Sequence, residues 1–317
     1  MPATREVRSV TVRPVRLGTF NVMHGRSPRD GDVDLARFRA AVASLDCDVL
    51  ALQEVDAGQP RSGGADLCAV AADALGVAEE DRRFEATVYG TPGLAWRPAD
   101  GCRSPGEPAY GIALVSRFPV RGWRVVTLGR APVRSPIAVP GPDGRPRLIL
   151  LADEPRVAII ARLATPVAPL TVVSTHLSFV PGWNAAQLRR LTRALRHDGA
   201  PGEAGSPPLR GTAGAADAGA GNAHNVYNAG AVGAGGAQGI DEATVILGDL
   251  NLPGPLPRVL TGWRRLAAAP TYPAHAPRVQ FDHVLARGTV PPVAAVRAEW
   301  TAVSDHRALI VDLAGGR

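Results

Sequence analysis

Asp305-His306 stands directly ahead of the apolar run Ala308-Leu309-Ile310-Val311, so groups able to hold a metal or move a proton sit at the mouth of a β-rich segment. The same arrangement recurs at Thr19-Phe20-Asn21, Leu52-Gln53-Glu54, Ser174-Thr175-His176 and Gly248-Asp249-Leu250-Asn251. One polar strand end carries no information, because every strand must stop somewhere. Five with complementary chemistry imply one shared rim.

The rim supplies carboxylates at Glu54, Asp249 and Asp305, carboxamides at Asn21 and Asn251, and imidazoles at His176 and His306. Phosphoester hydrolysis asks for a divalent cation against the phosphoryl oxygens, an aligned water and a group for the leaving oxygen. Hard cations take oxygen ligands and keep several waters, so one or two carboxylates suffice. That inventory suits Mg²⁺ or Mn²⁺ better than zinc, whose catalytic sites use three His, Cys or Glu ligands. Taken singly, each residue has a plainer reading. Asn21 or Glu54 is then a turn or surface residue, Asp249 a helix N-cap, Asp282 a strand cap and His176 a hydrogen-bonded rim histidine.

The elements around these positions follow from periodicity. Residues 15–22 read as a strand. Asp32 is placed to cap a helix whose Val33, Leu35, Phe38, Val42 and Leu45 recur at helical spacing. Residues 48–54 read as a buried strand, and 65–75 as a second helix stopped by Gly76. Strands then follow at 84–89, 110–116, 123–128, 147–151, 156–163 and 171–176, punctuated by Pro and Gly. Residues 183–196 carry a leucine stripe opposite Arg189, Arg190, Arg193 and Arg196, which reads as a solvated helix face. Strands are again expected at 244–249, 280–285, 295–300 and 307–313. Helices and many strands without regular alternation point to an α+β or layered α/β chain, and no GxGxxG follows the first strand.

Composition narrows the chemistry. The chain has 317 residues, 45% of them hydrophobic, and all 35 Lys+Arg positions are Arg. Absence of lysine excludes a P-loop lysine, a Schiff base and a Ser-Lys dyad. The net charge of +6 can attract nucleic acid or acidic lipid. A biased genome that replaces Lys with Arg produces the same figure. Cys47, Cys68 and Cys102 lack CxxC spacing, so neither a zinc site nor a disulfide framework is expected. Residues 1–16 lack a secretory apolar region and no stretch reaches a membrane span of roughly 20 apolar residues. A soluble cytoplasmic protein, acting as a monomer, is the expectation. Residues 199–239 are almost free of large apolar side chains and read as a disordered low-complexity insert.

Six segments in order resemble the signatures of the endonuclease/exonuclease/phosphatase (deoxyribonuclease-I-like) superfamily. They are Leu17-Gly18-Thr19-Phe20-Asn21-Val22, Leu52-Gln53-Glu54-Val55, Ser174-Thr175-His176-Leu177, Gly248-Asp249-Leu250-Asn251, Phe281-Asp282-His283-Val284-Leu285 and Ser304-Asp305-His306. The resemblance implies an α/β (α+β) fold, a four-layer αββα sandwich with two packed mixed β-sheets flanked by helices. It places one catalytic domain over residues 15–315, with 199–239 inserted in it. It implies metal roles for Asn21, Glu54 and Asp305 and catalytic roles for His176, Asp249, Asn251, Asp282 and His306, with Asp282 fixing the His306 tautomer. A histidine at 176 speaks against the abasic-site branch. The implied activity is a Mg²⁺- or Mn²⁺-dependent phosphoester hydrolase, foremost a phosphodiesterase acting on nucleic acid. Alternatives are a phospholipid or inositol-phosphate esterase and, in a different class, a non-catalytic binding protein on this fold. Substrate choice is expected to lie in loops 91–108 and 130–146.

Overall fold

Every second residue of the central strands is drawn into a single apolar seam between two sheets. The computed structural model describes residues 13–140, 146–197 and 243–315. One sheet runs β14 (Val293–Glu299), β15 (Ala308–Leu313), β1 (Val15–Asn21), β2 (Val49–Ala57), β5 (Ala109–Ser116), β3 (Arg82–Gly90), β4 (Trp96–Pro98). The other runs β12 (Arg264–Arg265), β13 (Asp282–Arg287), β11 (Thr244–Asp249), β10 (Pro169–His176), β9 (Arg156–Ala164), β6 (Val120–Gly129). A separate hairpin pairs β7 (Arg134–Pro140) with β8 (Pro146–Ala152).

Inward-facing residues of both sheets form one core: Val15 and Leu17, Val49 and Ala51, Ile159 and Ala161, Val245 and Leu247, Leu309 and Val311. The alternate residues face outward and are covered by helices. Phe20, Leu50 and Leu52 pack with Phe38, Val42 and Leu45 of α1 (Leu35–Leu45) and Leu67, Ala71 and Leu75 of α2 (Leu67–Leu75). Ile160, Val173, Ile246 and Leu285 pack with Leu188 and Leu191 of α3 (Trp183–His197), beside α4 (Leu256–Thr261). Strands apolar on both faces read as continuous hydrophobic runs. The four-layer sandwich implied by the sequence resemblance is what forms.

The two sheets repeat one plan. The parallel pair β1–β2 is flanked by antiparallel β15 and β5, and the parallel pair β10–β11 by antiparallel β9 and β13. Both parallel pairs therefore end at the same kind of edge, where β13 and β15 begin.

Local details depart from expectation at a few points. The α1 cap is Asp34, which accepts from the Arg37 N–H, whereas Asp32 donates its own N–H to Asp30. Gly76 closes α2 in the left-handed conformation, as expected. The loops expected at 91–108 and 130–146 contain β4 and β7. Pro136 and Pro140 hide β7 from propensity, and proline is tolerated there because a two-stranded hairpin has free edges. The insert at 199–239 lies outside the described residues. No helix among the described residues is long and apolar enough to cross a membrane.

Gly248 shows how tightly the parallel pair is drawn together. A Cβ at this position would overlap the Thr175 carbonyl oxygen of the neighbouring strand. Gly248→Ala is expected to lose about 1–3 kcal/mol of folding stability through forced backbone displacement. An unchanged denaturant midpoint would show that β10 and β11 are not in this contact.

Candidate active site

The period that builds the seam also aims the polar residues. In β1 the inward positions Val15, Leu17 and Thr19 lead to Asn21, and in β11 Val245 and Leu247 lead to Asp249. In β10 Val172 and Ser174 lead to His176, while β13 opens on Asp282 before inward Val284. Register then sets neighbours: His176 lies opposite Asp249 on one side and Asp282 opposite it on the other.

Glu54 breaks the period. Gln53 continues the inward stripe of Val49 and Ala51, so a regular strand would turn Glu54 out toward α1 and α2. Instead, a bulge interrupts the β2–β5 register between Leu52 and Val55, and Glu54 takes φ +59°. The extra residue re-aims the side chain to the inner edge, as bulges do. Asn251 (φ +48°) and Ser304 (φ +70°) also hold left-handed backbone, which non-glycine residues adopt only when their surroundings enforce it.

The side chains converge on Asp249. Asn21 Nδ2 donates to Glu54 Oε1 at 3.0 Å and to Asp249 Oδ2 at 3.1 Å, while its Oδ1 accepts from the Met23 N–H. The Asn251 N–H donates to Asp249 Oδ1 at 2.9 Å. His176 Nε2 and His306 Nε2 lie 3.7 and 3.8 Å from Asp249 Oδ2. His306 Nδ1 and Asp282 Oδ2 are 2.8 Å apart, and the Tyr272 ring packs 5.0 Å from the His306 ring. Ser304 Oγ donates to the Asn21 carbonyl at 2.6 Å and accepts from the His306 N–H, which ties the last loop to the end of β1.

Two histidines of one rim differ in charge because their surroundings differ. Burial lowers His176 well below its usual range, and nearby Arg156 and His306 add to this. It is neutral, and Asn251 Nδ2 sits 3.3 Å from its Nε2 while donating to the Leu177 carbonyl, so the ring proton belongs on Nδ1. Burial also opposes charge on His306, but Asp282, Asp249 and Asp305 outweigh it and lift the imidazole to about 10. Burial raises Asp249, with His306 and the Asn21 amide working against it. Burial carries Glu54 to about 7; the Asn21 hydrogen bond opposes this, and Asp305 and Glu154 add to it.

All eight residues singled out from the sequence reach this edge, seven through the contacts above and Asp305 through its charge on Glu54 and His306. Asp249, Asp282 and His306 place ligand-capable atoms within 4.8 Å of one another. His283 is structural, its Nε2 lying 2.7 Å from the Leu252 carbonyl. Gln187 of α3 is buried, accepting from the Ser178 N–H and donating to the Gly129 carbonyl. Sequence reasoning missed Asn184, whose amide donates to the Asn251 carbonyl, and the charged residues Arg61, Glu154 and Arg156 around Glu54. The three charges of Asp153-Glu154-Pro155-Arg156 ahead of an apolar strand signalled Glu154 and Arg156, and nothing comparable marked Arg61.

Comparison with known proteins agrees with the fold. A search of curated protein sequences finds no match. The chain is similar in fold to an endonuclease/exonuclease/phosphatase from Beutenbergia cavernae, with 21% identity, TM-score 0.57, and coverage of 96% of this chain and 72% of that one. It is similar to truncated TDP2 from Caenorhabditis elegans (16% identity, TM-score 0.53, 95% and 98% covered). A Bacteroides thetaiotaomicron mannosyl-6-phosphatase also aligns (11% identity, TM-score 0.52, 94% and 99% covered). The model of the endonuclease/exonuclease/phosphatase family matches residues 18–306, from the first strand to the last site histidine, and the chain belongs to that family of phosphoester hydrolases.

Proposed function

We propose that the protein is a Mg²⁺- or Mn²⁺-dependent phosphodiesterase with nucleic acid as its foremost substrate. The observation that carries this is the position of Asp249: a buried carboxylate fixed by two amide groups and faced by both imidazoles. A carboxylate raised by burial is a better base than one in water, and it suits alignment and deprotonation of an attacking water. The net charge of +6 supports a polyanionic substrate. A purely binding role explains neither the polarised Asp282–His306 pair nor the strained backbone at Glu54.

The metal belongs with Glu54 and Asp305, and the donor set fits it. Among the described residues no arginine lies within ion-pair distance of either carboxylate, and Glu54 rises to about 7 partly because Asp305 is near. Asn21 holds one Glu54 oxygen, and among the described residues no hydrogen bond reaches the other. Such uncompensated oxygen-rich charge is what a hard divalent cation relieves. The trio of Asp249, Asp282 and His306 suits it less, because a protonated imidazole is no ligand. A bound cation would supply Lewis acidity toward a phosphoryl oxygen and charge for the leaving oxygen. Asn21 keeps Glu54 and Asp249 in fixed relation, and Asn251 turns Asp249 toward the water. His306, oriented and kept protonated by Asp282, presents its Nε2–H to a phosphoryl oxygen as charge builds. His176 offers its Nδ1–H to the phosphate.

Chelation with EDTA is expected to abolish turnover of bis(p-nitrophenyl) phosphate, plasmid DNA or RNA, with Mg²⁺ or Mn²⁺ restoring it. Asp249→Asn should reduce kcat by about 10²–10⁴-fold. Activity that persists in chelator sinks the metal role. Glu54 must lose its proton to bind the cation, so Mn²⁺ affinity measured by calorimetry should weaken by about tenfold per unit as pH falls below 7. A pH-independent affinity would take Glu54 out of the metal site. His306 acts in its protonated form, so activity is lost as pH rises through its pKa, which stands at about 10. Asp282→Asn removes the carboxylate that lifts it, and the alkaline limb of the kcat profile should move toward neutrality. A limb that stays in place would mean that His306 is not the donor.

A further inference from the structure

Two residues beyond Glu54 on β2, Asp56 is wholly enclosed, and Arg61 binds both of its carboxylate oxygens. Arg61 Nε donates to Oδ2 at 2.9 Å and Nη2 to Oδ1 at 2.7 Å. Tyr110, opposite Asp56 in the β2–β5 register, lies under the guanidinium with its ring centroid 5.5 Å from Cζ. One edge and one face of the guanidinium are thus occupied. Among the described residues the third nitrogen has no hydrogen-bond partner, and 28% of the side chain stays exposed.

The guanidinium lies within charge-interaction range of the proposed metal carboxylate, which is two residues from Asp56 on the same strand. Arg61 interacts electrostatically with Glu54 and with His24, and His24 also feels Arg26. In the first sheet β2 and β5 lie on the far side of β1 from β15, so the segment that follows β2, with Arg61, and the segment that leads into β15, with His306, belong to strands on opposite sides of β1. A buried ion pair adds little stability over an apolar pair of the same volume, so pinning the turn at 60–62 does not by itself account for it. A planar guanidinium, held rigid from behind and partly exposed, is suited to phosphate oxygens.

We infer that Arg61 is a specificity residue that binds a second phosphate group of the substrate, adjacent to the phosphodiester being cut, and that Asp56 is its positioning residue. This rests on the phosphodiesterase reading above. It predicts preference for substrates with more than one phosphate over isolated diesters.

The test compares thymidine dinucleotide with and without a 5′-phosphate, and bis(p-nitrophenyl) phosphate, on the full chain with Mg²⁺. Arg61→Gln should raise KM for the 5′-phosphorylated dinucleotide by about ten- to hundredfold, the loss of one or two charge-assisted hydrogen bonds. KM for the other two substrates and every kcat should hold within about twofold. Because Arg61→Gln leaves Asp56 buried without its partner, the double variant Asp56→Asn/Arg61→Gln is measured beside it and should show the same selective loss. Equal losses on all three substrates, or none, overturn the inference. If the wild-type protein cleaves none of them, the phosphodiesterase reading fails on its own. Calorimetric binding of the two dinucleotides in EDTA then decides: a preference for the phosphorylated one that Arg61→Gln removes sustains the inference, and equal binding overturns it.

Discussion

The whole arrangement depends on the two-residue period of strands that face one seam. The site is the last layer of the inter-sheet core, in which Asn21, His176 and Asp249 end the inward stripes that begin with Val15 and Leu17, Leu170 and Val172, and Val245 and Leu247. Backbone pairing fixes that step, so the polar groups inherit the precision of the ladder rather than that of a loop. The apolar layers behind them exclude water, which strengthens every charge interaction at the edge. The same burial would be ruinous for unpaired groups, and here nearly every one is held: Asn21 by three partners, Asp249 by two donors, His306 by Asp282.

Environment rather than residue type assigns the roles. His176 and His306 both face Asp249 at nearly equal distance, yet one is neutral and the other cationic. The difference is a carboxylate behind one ring and an arginine near the other. Pairs of like groups driven apart in this way mark sites where proton donor and acceptor must coexist at one pH.

Much of this was legible in the sequence, because runs such as Val245-Ile246-Leu247 ending on Gly248-Asp249 advertise both a buried strand and its functional terminus. Six such segments in order also carried the family likeness, and with it the partnership of Asp282 and His306 across the gap between them. Glu54 was legible as a residue but not as a geometry. Strict alternation would send it to the helix side, and a bulge leaves no mark in composition. Arg61 and Asn184 were hidden for a related reason: their importance lies in contacts across the fold, Arg61 with Asp56 and Tyr110, Asn184 with Asn251. The misplaced cap of α1 reflects three aspartates within five residues, any of which satisfies the local rule. The unexpected β7 shows the converse, a strand whose prolines are permitted only because its edges are open.

The left-handed backbone at Glu54, Asn251 and Ser304 has a consequence for how this protein can change. Each such residue costs of the order of 1–3 kcal/mol that glycine would largely recover. A lineage freed from the need to hydrolyse anything would therefore grow sturdier by erosion, three small steps each favoured by folding alone. Chemistry and robustness pull in opposite directions at these positions, and the side chains now standing there mark which of the two has prevailed.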